Sequence, residues 1–445
     1  MKTAFLVALA CCLNLSGATY YLAPASLGGS DSNSGTTAGA PWLTPNHSVN
    51  CGDVIIAAAS PAYIGGTLNT GNWGTVNCGG NHGVAWVQCV TFDACKSSTG
   101  IHPDQSHWGV SGFEDSQVGG GCFAASPRTT TIIDIIFAND IANGCGGSGL
   151  TTYNNGNQGV DYVAIIGSIS YNATTSSLEC YSGINIFQPV PADTVPGTHI
   201  YIAGNFAFDN VNPNPCGGTA PTDGEGIIFD TLNGSGDGVN YTQQIVAENN
   251  ITVFNGGRGI SCCGNTNANI FFRNNTMYGN MKNVVGSCGE IYSNQTVNMV
   301  ITGNLGQTTS NCGGAEYVFI VQASDYTSLL FNNWGYSSTG QNVSVISSPT
   351  FAAVNNLFGT SPAFVNPVDP GAPSCGAFAS VPACMATVIA NYTPTASGAA
   401  AYGYQIPGAP AYNPLYPKWL CNVTLPAGLV QNGCLTPSVI SASLR

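Results

Sequence analysis

The chain has 445 residues, of which 44% are apolar, and its 8 Lys and Arg stand against 21 Asp and Glu, which gives a net charge of −13. Length and apolar content allow a large buried core and exclude an intrinsically disordered chain. So few cations exclude electrostatic binding of nucleic acid or of an anionic membrane surface. A polyanion would be difficult to bind without a metal cation that supplies positive charge.

The N-terminus has the features of a secretory signal peptide. A basic start, Met1–Thr3, precedes the apolar run Ala4–Leu13 and the small residues up to Ala18, which is the order typical of such a segment. We therefore predict that residues 1–18 are removed and that the mature protein is secreted and extracellular. No later stretch has the ~18 apolar residues of a membrane span, so no membrane association is expected.

The cysteines predict disulfide bonds. Two of the 18 cysteines, Cys11 and Cys12, lie in the signal peptide, which leaves 18 − 2 = 16. An even number in a secreted chain indicates disulfides rather than a zinc site. The adjacent Cys262 and Cys263 either form a strained vicinal bridge or, as the favoured alternative, pair with two different partners.

A short apolar strand that ends in asparagine recurs through the middle of the chain. The six asparagines are Asn205, Asn250, Asn275, Asn304, Asn333 and Asn356, and the steps between them are 45, 25, 29, 29 and 23 residues. Such a period predicts a stacked solenoid of β-strands. Because asparagine carries a donor and an acceptor and tolerates a left-handed bend, we expect the amides to bond to one another and to the turn backbone.

Several segments resemble the pectin-lyase-like superfamily of secreted right-handed parallel β-helix proteins. They are Tyr20–Trp42 with Cys51–Ile56, which look like a first coil, and Asp223–Asp230, Gly256–Ile260 and Asn274–Asn280. The resemblance extends over most of Tyr20 to about Pro367. It implies an all-β fold, a right-handed parallel β-helix of roughly eight to ten coils with an N-terminal cap and a disulfide-linked C-terminal cap. The superfamily contains lyases, hydrolases and non-catalytic proteins, so it implies no single activity.

The repeat divides the mature chain into two regions. Residues 19–367 are predicted to form the β-helix domain, in which the Gly- and Cys-rich stretch 63–128 forms loops held by disulfides. Residues 232–243 lengthen one coil and explain the 45-residue step. The Pro-, Ala- and Gly-rich segment 368–445 is expected to cap the open C-terminal coil, whose unpaired edge would otherwise invite aggregation.

The acidic cluster around residue 225 is the candidate active site. Lyases with this resemblance pair Ca²⁺, which neutralises a uronate carboxylate, with an Arg or Lys base. Asp223, Glu225 and Asp230 are the proposed Ca²⁺ ligands, since calcium prefers several carboxylate oxygens. Gly-Glu225-Gly-Ile aligns with Gly-Arg258-Gly-Ile one coil later, which predicts a separation of about 5 Å. Arg258 is the proposed base, and Lys282 is its substitute or a helper for the leaving group.

Each of these residues also has a structural interpretation. Glu225 and Arg258 could form an exposed salt bridge between coils, which contributes about 0.2–1 kcal/mol to stability. Lys282 could be a turn residue, and Glu248 and Arg273, stacked in register and facing outward, could form an ordinary ion pair. The five histidines share no spacing typical of metal ligands.

The function predicted from these residues is Ca²⁺-assisted β-elimination of an acidic, uronate-containing polysaccharide by a secreted monomer. The first alternative is a glycoside hydrolase that uses the same carboxylates as acid and base. The second is a non-catalytic extracellular protein whose solenoid face binds glycans or other partners.

Overall fold

The structure is a computed structural model that describes residues 17–63, 66–176, 180–213, 223–262, 264, 266–283, 288–294, 298–309, 315–321, 328–345, 352–406 and 414–426. It is a parallel β-helix, so the fold predicted from the sequence is confirmed. The predicted signal peptide lies outside the described residues, except for residues 17 and 18.

Three parallel sheets form the sides of the solenoid, and the chain passes through them in the order sheet 1, sheet 2, sheet 3. Sheet 1 contains Thr19–Leu22, Val54–Ala57, Ala85–Cys89, Trp108–Ser111, Ile132–Ala138, Val160–Ile166, Thr198–Ala203, Gln244–Glu248, Ile270–Arg273, Met299–Thr302, Leu329–Phe331 and Ala352–Val354. Sheet 2 contains Ser60–Tyr63, Cys95–Ser97, Phe113–Asp115, Ile141–Asn143, Ile169–Tyr171, Phe206–Phe208, Ile251–Val253, Thr276–Tyr278, Leu305–Gln307, Trp334–Tyr336 and Leu357–Phe358. Sheet 3 contains Phe123–Ala125, Leu150–Thr152, Ile184–Phe187, Ile227–Asp230, Ile260–Cys262, Cys288–Ser293, Glu316–Val321 and Val343–Val345. A short pair, Val49–Asn50 and Val76–Asn77, adds a fourth small sheet.

The three sheets differ in their number of strands. Sheet 1 has 12 strands, sheet 2 has 11 and sheet 3 has 8, so eight of the described coils contribute a strand to every sheet, within the expected eight to ten. The stretch 63–128, expected to form loops, instead contributes strands to all three larger sheets. Disulfides do hold this region as expected, through Cys89–Cys95 and Cys122–Cys145.

The core of the solenoid is a stack of aliphatic side chains that repeat in register. Ile135, Val163, Ile200 and Ile245 are aligned on consecutive strands of sheet 1 and are all 0% exposed. Alternation along each strand places every second side chain inside, so each coil adds one such layer. Because one coil cannot bury its own apolar face, stability depends on neighbouring coils.

The predicted asparagine ladder is present at the bend between sheets 1 and 2. Each side-chain amide donates to the Oδ1 atom of the next asparagine at 2.9–3.0 Å. Each also donates to a backbone carbonyl of a preceding coil. In the earlier coils the column continues as Ser168 and then Asp140, whose carboxylate accepts from the backbone of Phe113 and Ala138. In these earlier coils the backbone groups of the bend therefore have hydrogen-bond partners without asparagine.

A second ladder, which the sequence did not predict, lies at the bend between sheets 2 and 3. Asn210 donates to Asn255 and Asn255 to Asn280, at 2.9 and 2.8 Å. Asn280 then donates to the buried carboxyl of Glu290 at 2.5 Å. Two interior amide columns thus fix two corners of the coil.

Stacked aromatic rings cover the N-terminal strand of sheet 1. The ring of Trp42 lies between those of Tyr20 and His47, at centroid distances of 4.6 and 4.0 Å. This arrangement covers the first strand of sheet 1 and corresponds to the expected N-terminal cap.

The C-terminal segment begins with two short helices, Val381–Cys384 and Ala386–Asn391, and carries the disulfide Cys375–Cys384. Its described residues pack against the sides of the solenoid instead of over the last coil. Residues such as Val381 and Tyr392 contact the outer face of sheet 2, including Ile169 and Phe206.

The later part of this segment packs against sheet 1. Trp419 and Leu420 contact the outer face of that sheet, and the Trp419 ring nitrogen donates to the Thr198 carbonyl at 3.1 Å. The described residues also form the 3-10 helices Ala25–Leu27, Ala399–Ala401 and Lys418–Asn422. None of the helices in the described ranges has the length and hydrophobicity needed to cross a lipid bilayer.

Ten of the described cysteines are disulfide-bonded, as predicted, and Cys262 is not. Cys51 is bonded to Cys78 in addition to the pairs already named, and Cys180 and Cys421 are also disulfide-bonded. Cys262 is buried with a free thiol, so the prediction that it pairs is wrong. Cys262 faces inward at the end of a sheet 3 strand, among core side chains, and Cys263 lies outside the described residues.

Candidate functional site

The predicted pair of Glu225 and Arg258 comes together at the entrance to sheet 3. Both residues lie two positions before a strand, and the strands Ile227–Asp230 and Ile260–Cys262 pair in register. The Arg258 Nη1 and Glu225 Oε1 atoms are 3.5 Å apart. The glycine after Glu225 allows this stacking, because a Cβ on Gly226 would lie 2.8 Å from the Gly259 carbonyl oxygen.

Glu225 is buried, in contrast to the exposed salt bridge considered from the sequence. Its side chain is 2% exposed, and Ser182, one coil earlier at the same position, donates its hydroxyl to Oε2 at 2.9 Å. Burial, together with the charge of Asp223, raises the pKa of Glu225 to about 8. The carboxyl group is therefore mostly protonated at neutral pH.

The Arg258 side chain extends from the buried Glu225 carboxyl towards the protein surface. Its side chain is 19% exposed, and its guanidinium carbon lies 4.1 Å above the centre of the Tyr292 ring on the next coil. A guanidinium over an aromatic face is held by cation–π attraction. Its Nε atom is buried and donates to no acceptor. The Arg258 side chain is thus fixed in orientation while part of it remains accessible.

The three predicted calcium ligands do not converge. Asp230 lies at the far end of the strand Ile227–Asp230, which alone spans about 10 Å, and its carboxylate accepts from the Thr231 hydroxyl. Glu225 uses its oxygens for Ser182 and Arg258. The residues predicted as ligands therefore do not fit a Ca²⁺ site.

No second cluster of three acidic side chains is found within the described part of the chain. Among the His, Cys, Asp and Glu residues there, the one group of three ligand atoms within 4.8 Å of one another belongs to Cys51, Cys78 and His107. Two of these residues are joined in a disulfide, so the group is not a metal site.

Lys282 binds two carboxylates that do not belong to the predicted site. Its backbone lies beside that of Arg258, since Met281 donates to the Gly257 carbonyl at 2.7 Å. Its Nζ atom, however, binds Asp209 at 2.6 Å and Asp369 of the C-terminal segment at 3.3 Å. The structural interpretation therefore fits Lys282 better than a role as a base beside Arg258.

Arg273 and Glu248 form the ion pair expected from their register, at 2.9 Å. The pair is less exposed than expected, because Glu248 is fully buried and also accepts from the Leu415 backbone of the C-terminal segment. It anchors that segment to sheet 1.

A histidine cluster that sequence reasoning missed lies near the start of the sheet 1 strands. His82 and His107 each bond through Nδ1 to the buried carboxylate of Asp134, both at 2.8 Å. The bond to Asp134 raises the pKa of His82. Burial alone would raise the pKa of Asp134, but the bonds from both histidines lower it.

The cluster lies at a row of residues in the left-handed backbone conformation. His107, Asp134 and Tyr162 occupy matching positions on consecutive strands, and all have positive φ. One signal was available in the sequence, because Asp134 and Asp161 interrupt strands that are otherwise strongly apolar. The described contacts of these side chains are with one another, with neighbouring strands and with Trp419 of the C-terminal segment, which is typical of a structural cluster.

Comparisons with known proteins find similar solved structures but no family. No protein-family model matches, and no curated relative is found. Among solved structures, the pectate lyase Pel9A is 18% identical with a TM-score of 0.48, over 78% of this chain and 82% of that chain. The Azotobacter vinelandii mannuronan C-5 epimerase AlgE4 A-module is 12% identical with a TM-score of 0.36, over 77% and 89%.

A GH136 lacto-N-biosidase from Eubacterium ramulus is likewise 12% identical with a TM-score of 0.37, over 77% of this chain and 67% of that chain. All three TM-scores are below 0.5, so no argument about this chain rests on these structures. They assign no activity, because one fold can carry many unrelated functions.

Proposed function

We propose that this protein is a secreted, carbohydrate-active lyase that binds an acidic, uronate-containing polysaccharide at Arg258 and cleaves it by β-elimination. One observation carries the proposal: a partly exposed guanidinium is oriented by a buried carboxyl and an aromatic ring on the outer side of sheet 3. The disulfides of the described chain agree with secretion, since such bonds persist in oxidising compartments.

The protonated form of Glu225 does not neutralise the positive charge of Arg258, and an anionic sugar requires such a charge. Because the pKa of Glu225 is about 8, most of the carboxyl groups are neutral at pH 7. The positive charge of Arg258 is then not cancelled by its partner and can attract a uronate carboxylate. A planar guanidinium also suits bidentate binding of a carboxylate.

The elimination itself needs a proton acceptor and a neutralised carboxylate. The sequence suggests Arg258 as the base, but a charged guanidinium has no acceptor lone pair. Arg258 therefore neutralises the uronate carboxylate and makes the neighbouring C–H proton more acidic. Asp223, which is partly exposed and close enough for its charge to act on Glu225, accepts that proton.

As the proton leaves the carbon next to the carboxylate, its electron pair forms a C=C bond within the sugar ring. The C–O bond to the next sugar breaks at the same time. The leaving oxygen takes a proton from water, so the products are a new chain end and an unsaturated uronate. The predicted calcium ligands do not fit an ion, and no step is assigned to one.

The test is the ultraviolet absorbance of the unsaturated product on polygalacturonate and alginate, with and without EDTA. Absorbance that Arg258→Lys lowers by about 100-fold or more supports the proposal, because an ammonium cannot reproduce the planar contact. New reducing ends without absorbance would instead indicate the hydrolase. Neither signal on any uronate polymer would contradict both enzymes and favour the glycan-binding protein.

Turnover can be separated from binding with a second variant. Asp223→Asn should remove turnover while binding of the polymer is retained, because only the proton acceptor is lost. Arg258→Gln should weaken binding as well. Equal effects of both variants on binding would contradict the division of roles between Asp223 and Arg258.

A further inference from the structure

A pocket of about 200 Å³ lies between the C-terminal segment and sheet 2. The solenoid contributes Ile251, which is 2% exposed and belongs to the apolar cluster between this segment and the sheet. One wall contains the end of the helix Ala386–Asn391 and the residues that follow it, and the other wall contains residues 400–406. Arg258 lies at the entrance to sheet 3, so the pocket is separate from the site at Arg258.

Hydrogen bonds to the solenoid hold the wall formed by residues 400–406. The backbone of Gln405 exchanges two hydrogen bonds with the side chain of Asn249, at 2.6 and 2.9 Å. The Tyr404 backbone donates to the Thr276 hydroxyl at 2.8 Å, and the Gln405 side-chain amide donates to three carbonyls of its own loop. This wall is therefore ordered before a ligand binds, which lowers the entropic cost of binding.

The lining of the pocket combines aromatic rings with uncharged polar groups. It includes the tyrosines Tyr392, Tyr402 and Tyr404 and the polar side chains of Thr393 and Gln405. Among the described residues that line it there is no Asp, Glu, Lys, Arg or His. A bound carboxylate would find no opposite charge there, so the lining favours a neutral ligand with both apolar and polar surface.

The volume of the pocket corresponds to a single ring. A cavity of about 150 Å³ can hold one six-membered ring, so about 200 Å³ accommodates one ring with its substituents. A neutral pyranose has an apolar C–H face that can pack on an aromatic ring, and hydroxyl groups around its edge. The half-buried rings of Tyr402 and Tyr404 offer the aromatic surface. A hydrocarbon ring of the same size would offer no hydrogen bond to the polar part of the lining.

We propose that this pocket is an accessory binding site for one neutral pyranose residue of a glycan, which packs against Tyr402 and Tyr404. This inference goes beyond the proposed function, because the pocket binds a neutral sugar and takes no part in β-elimination. A glycan held in the pocket keeps the protein attached to a polysaccharide, independently of the charge at Arg258.

The experiment measures saturation-transfer NMR on the full mature chain with methyl β-glucopyranoside, methyl β-galactopyranoside and methyl β-xylopyranoside. Galacturonate and cyclohexanol are the charged and the apolar probes of similar size. At least one methyl glycoside should bind with a Kd of about 1–10 mM, as expected for so small a ligand. Galacturonate and cyclohexanol should bind at least about tenfold more weakly.

Two pairs of variants assign this binding to the pocket. Ala400→Phe fills the pocket and should weaken glycoside binding by about tenfold or more; Ala401→Phe is its matched control, because Ala401 is exposed in the same 3-10 helix, Ala399–Ala401, but does not line the pocket. Tyr402→Leu removes an aromatic ring and should weaken binding to a similar extent. Tyr404→Phe should not, since the Tyr404 hydroxyl makes no hydrogen bond that would be lost. Thermal unfolding of each variant verifies that it is folded.

The outcomes separate this inference from the proposed function. The pocket is not a sugar site if no methyl glycoside binds, if cyclohexanol or galacturonate binds more tightly, or if Ala400→Phe binds glycosides as the parent protein does. If the parent protein nevertheless produces unsaturated uronate, the proposed function stands. If the parent protein produces none but binds a glycoside that Ala400→Phe does not bind, the proposed function fails and the accessory site stands.

Discussion

Replacing Glu225 by glutamine should stabilise the protein increasingly as the pH rises from 5 to 8. Glu225 is 2% exposed, and burial, followed by the charge of Asp223, raises its pKa from 4.5 to about 8. Between these values the unfolded chain has lost the proton and the folded chain still holds it. Rising pH therefore favours the unfolded state of the parent protein, and glutamine, which does not titrate, abolishes this loss.

The size of the effect follows from the pKa difference. A single group contributes at most about 1.4 kcal/mol per pH unit. For an unfolded pKa near 4.5 and a folded pKa near 8, the stability of Glu225→Gln relative to the parent should rise by about 2–3 kcal/mol between pH 5 and pH 7. Above pH 8 the difference should become constant.

Urea unfolding followed by circular dichroism at pH 5, 6, 7 and 8 measures this difference directly. Glu114→Gln is a control of opposite sign: burial raises the pKa of Glu114, but the side-chain bonds from Lys96 and Asn143, together with the charge of Lys96, lower it overall. Stabilisation by Glu114 is present above its unfolded pKa and is lost as the pH falls, so this variant should be less stable than the parent at pH 7. An equal difference between Glu225→Gln and the parent at every pH would show that Glu225 is charged throughout, and would refute our account of Arg258.

Three further predictions concern residues around the site and in the core. Asp230→Asn should leave the effect of EDTA on any lyase activity unchanged, because Asp230 lies a strand length from Glu225; a new calcium requirement would contradict this. Asn275→Ala should reduce the free energy of unfolding by about 3 kcal/mol or more, since it leaves donors of the ladder unpaired, whereas the exposed Asn267→Ala should change it by less than about 0.5 kcal/mol. Lys282→Met should keep turnover within about twofold while loosening the C-terminal segment, as limited proteolysis would report; complete loss of turnover would restore Lys282 as a catalytic residue.

The sequence predicted the parts of the fold that depend on local repetition. The asparagine column and the alignment of Glu225 with Arg258 both follow from counting residues between coils, and both are confirmed. The coils in 63–128 were missed because their bends do not use asparagine. Asp140 shows the reason, since its carboxylate satisfies the same backbone groups through a residue that the repeat did not include.

The remaining differences between the prediction and the structure arise from contacts between residues that are far apart in the sequence. The burial of Glu225 depends on Ser182 and Arg258 from two other coils, 43 and 33 residues away. The lateral position of the C-terminal segment had a signal in the strands of sheet 2, such as Phe206–Phe208, which present large apolar side chains outward and small ones inward. A strand that is apolar on its outer face must be covered, but the strand alone does not say which segment covers it.

Cations are scarce in this chain, and Arg258 differs from most of them in the charge of its carboxyl partner. Four of the described cations are each held by carboxylates: Lys96 by Asp93 and Glu114, Arg128 by Asp104, Arg273 by Glu248, and Lys282 by Asp209 and Asp369. Arg258 also has a carboxyl partner, but burial keeps that partner largely protonated near neutral pH. Among the described cations that contact a carboxyl group, Arg258 is therefore the one whose direct partner is largely neutral, and its side chain lies partly exposed on sheet 3. Raising the pH above 8 should ionise Glu225, cancel the positive charge of Arg258 and weaken binding of uronate oligomers. Affinity that is unchanged between pH 7 and pH 9 would show that Arg258 does not act in this way.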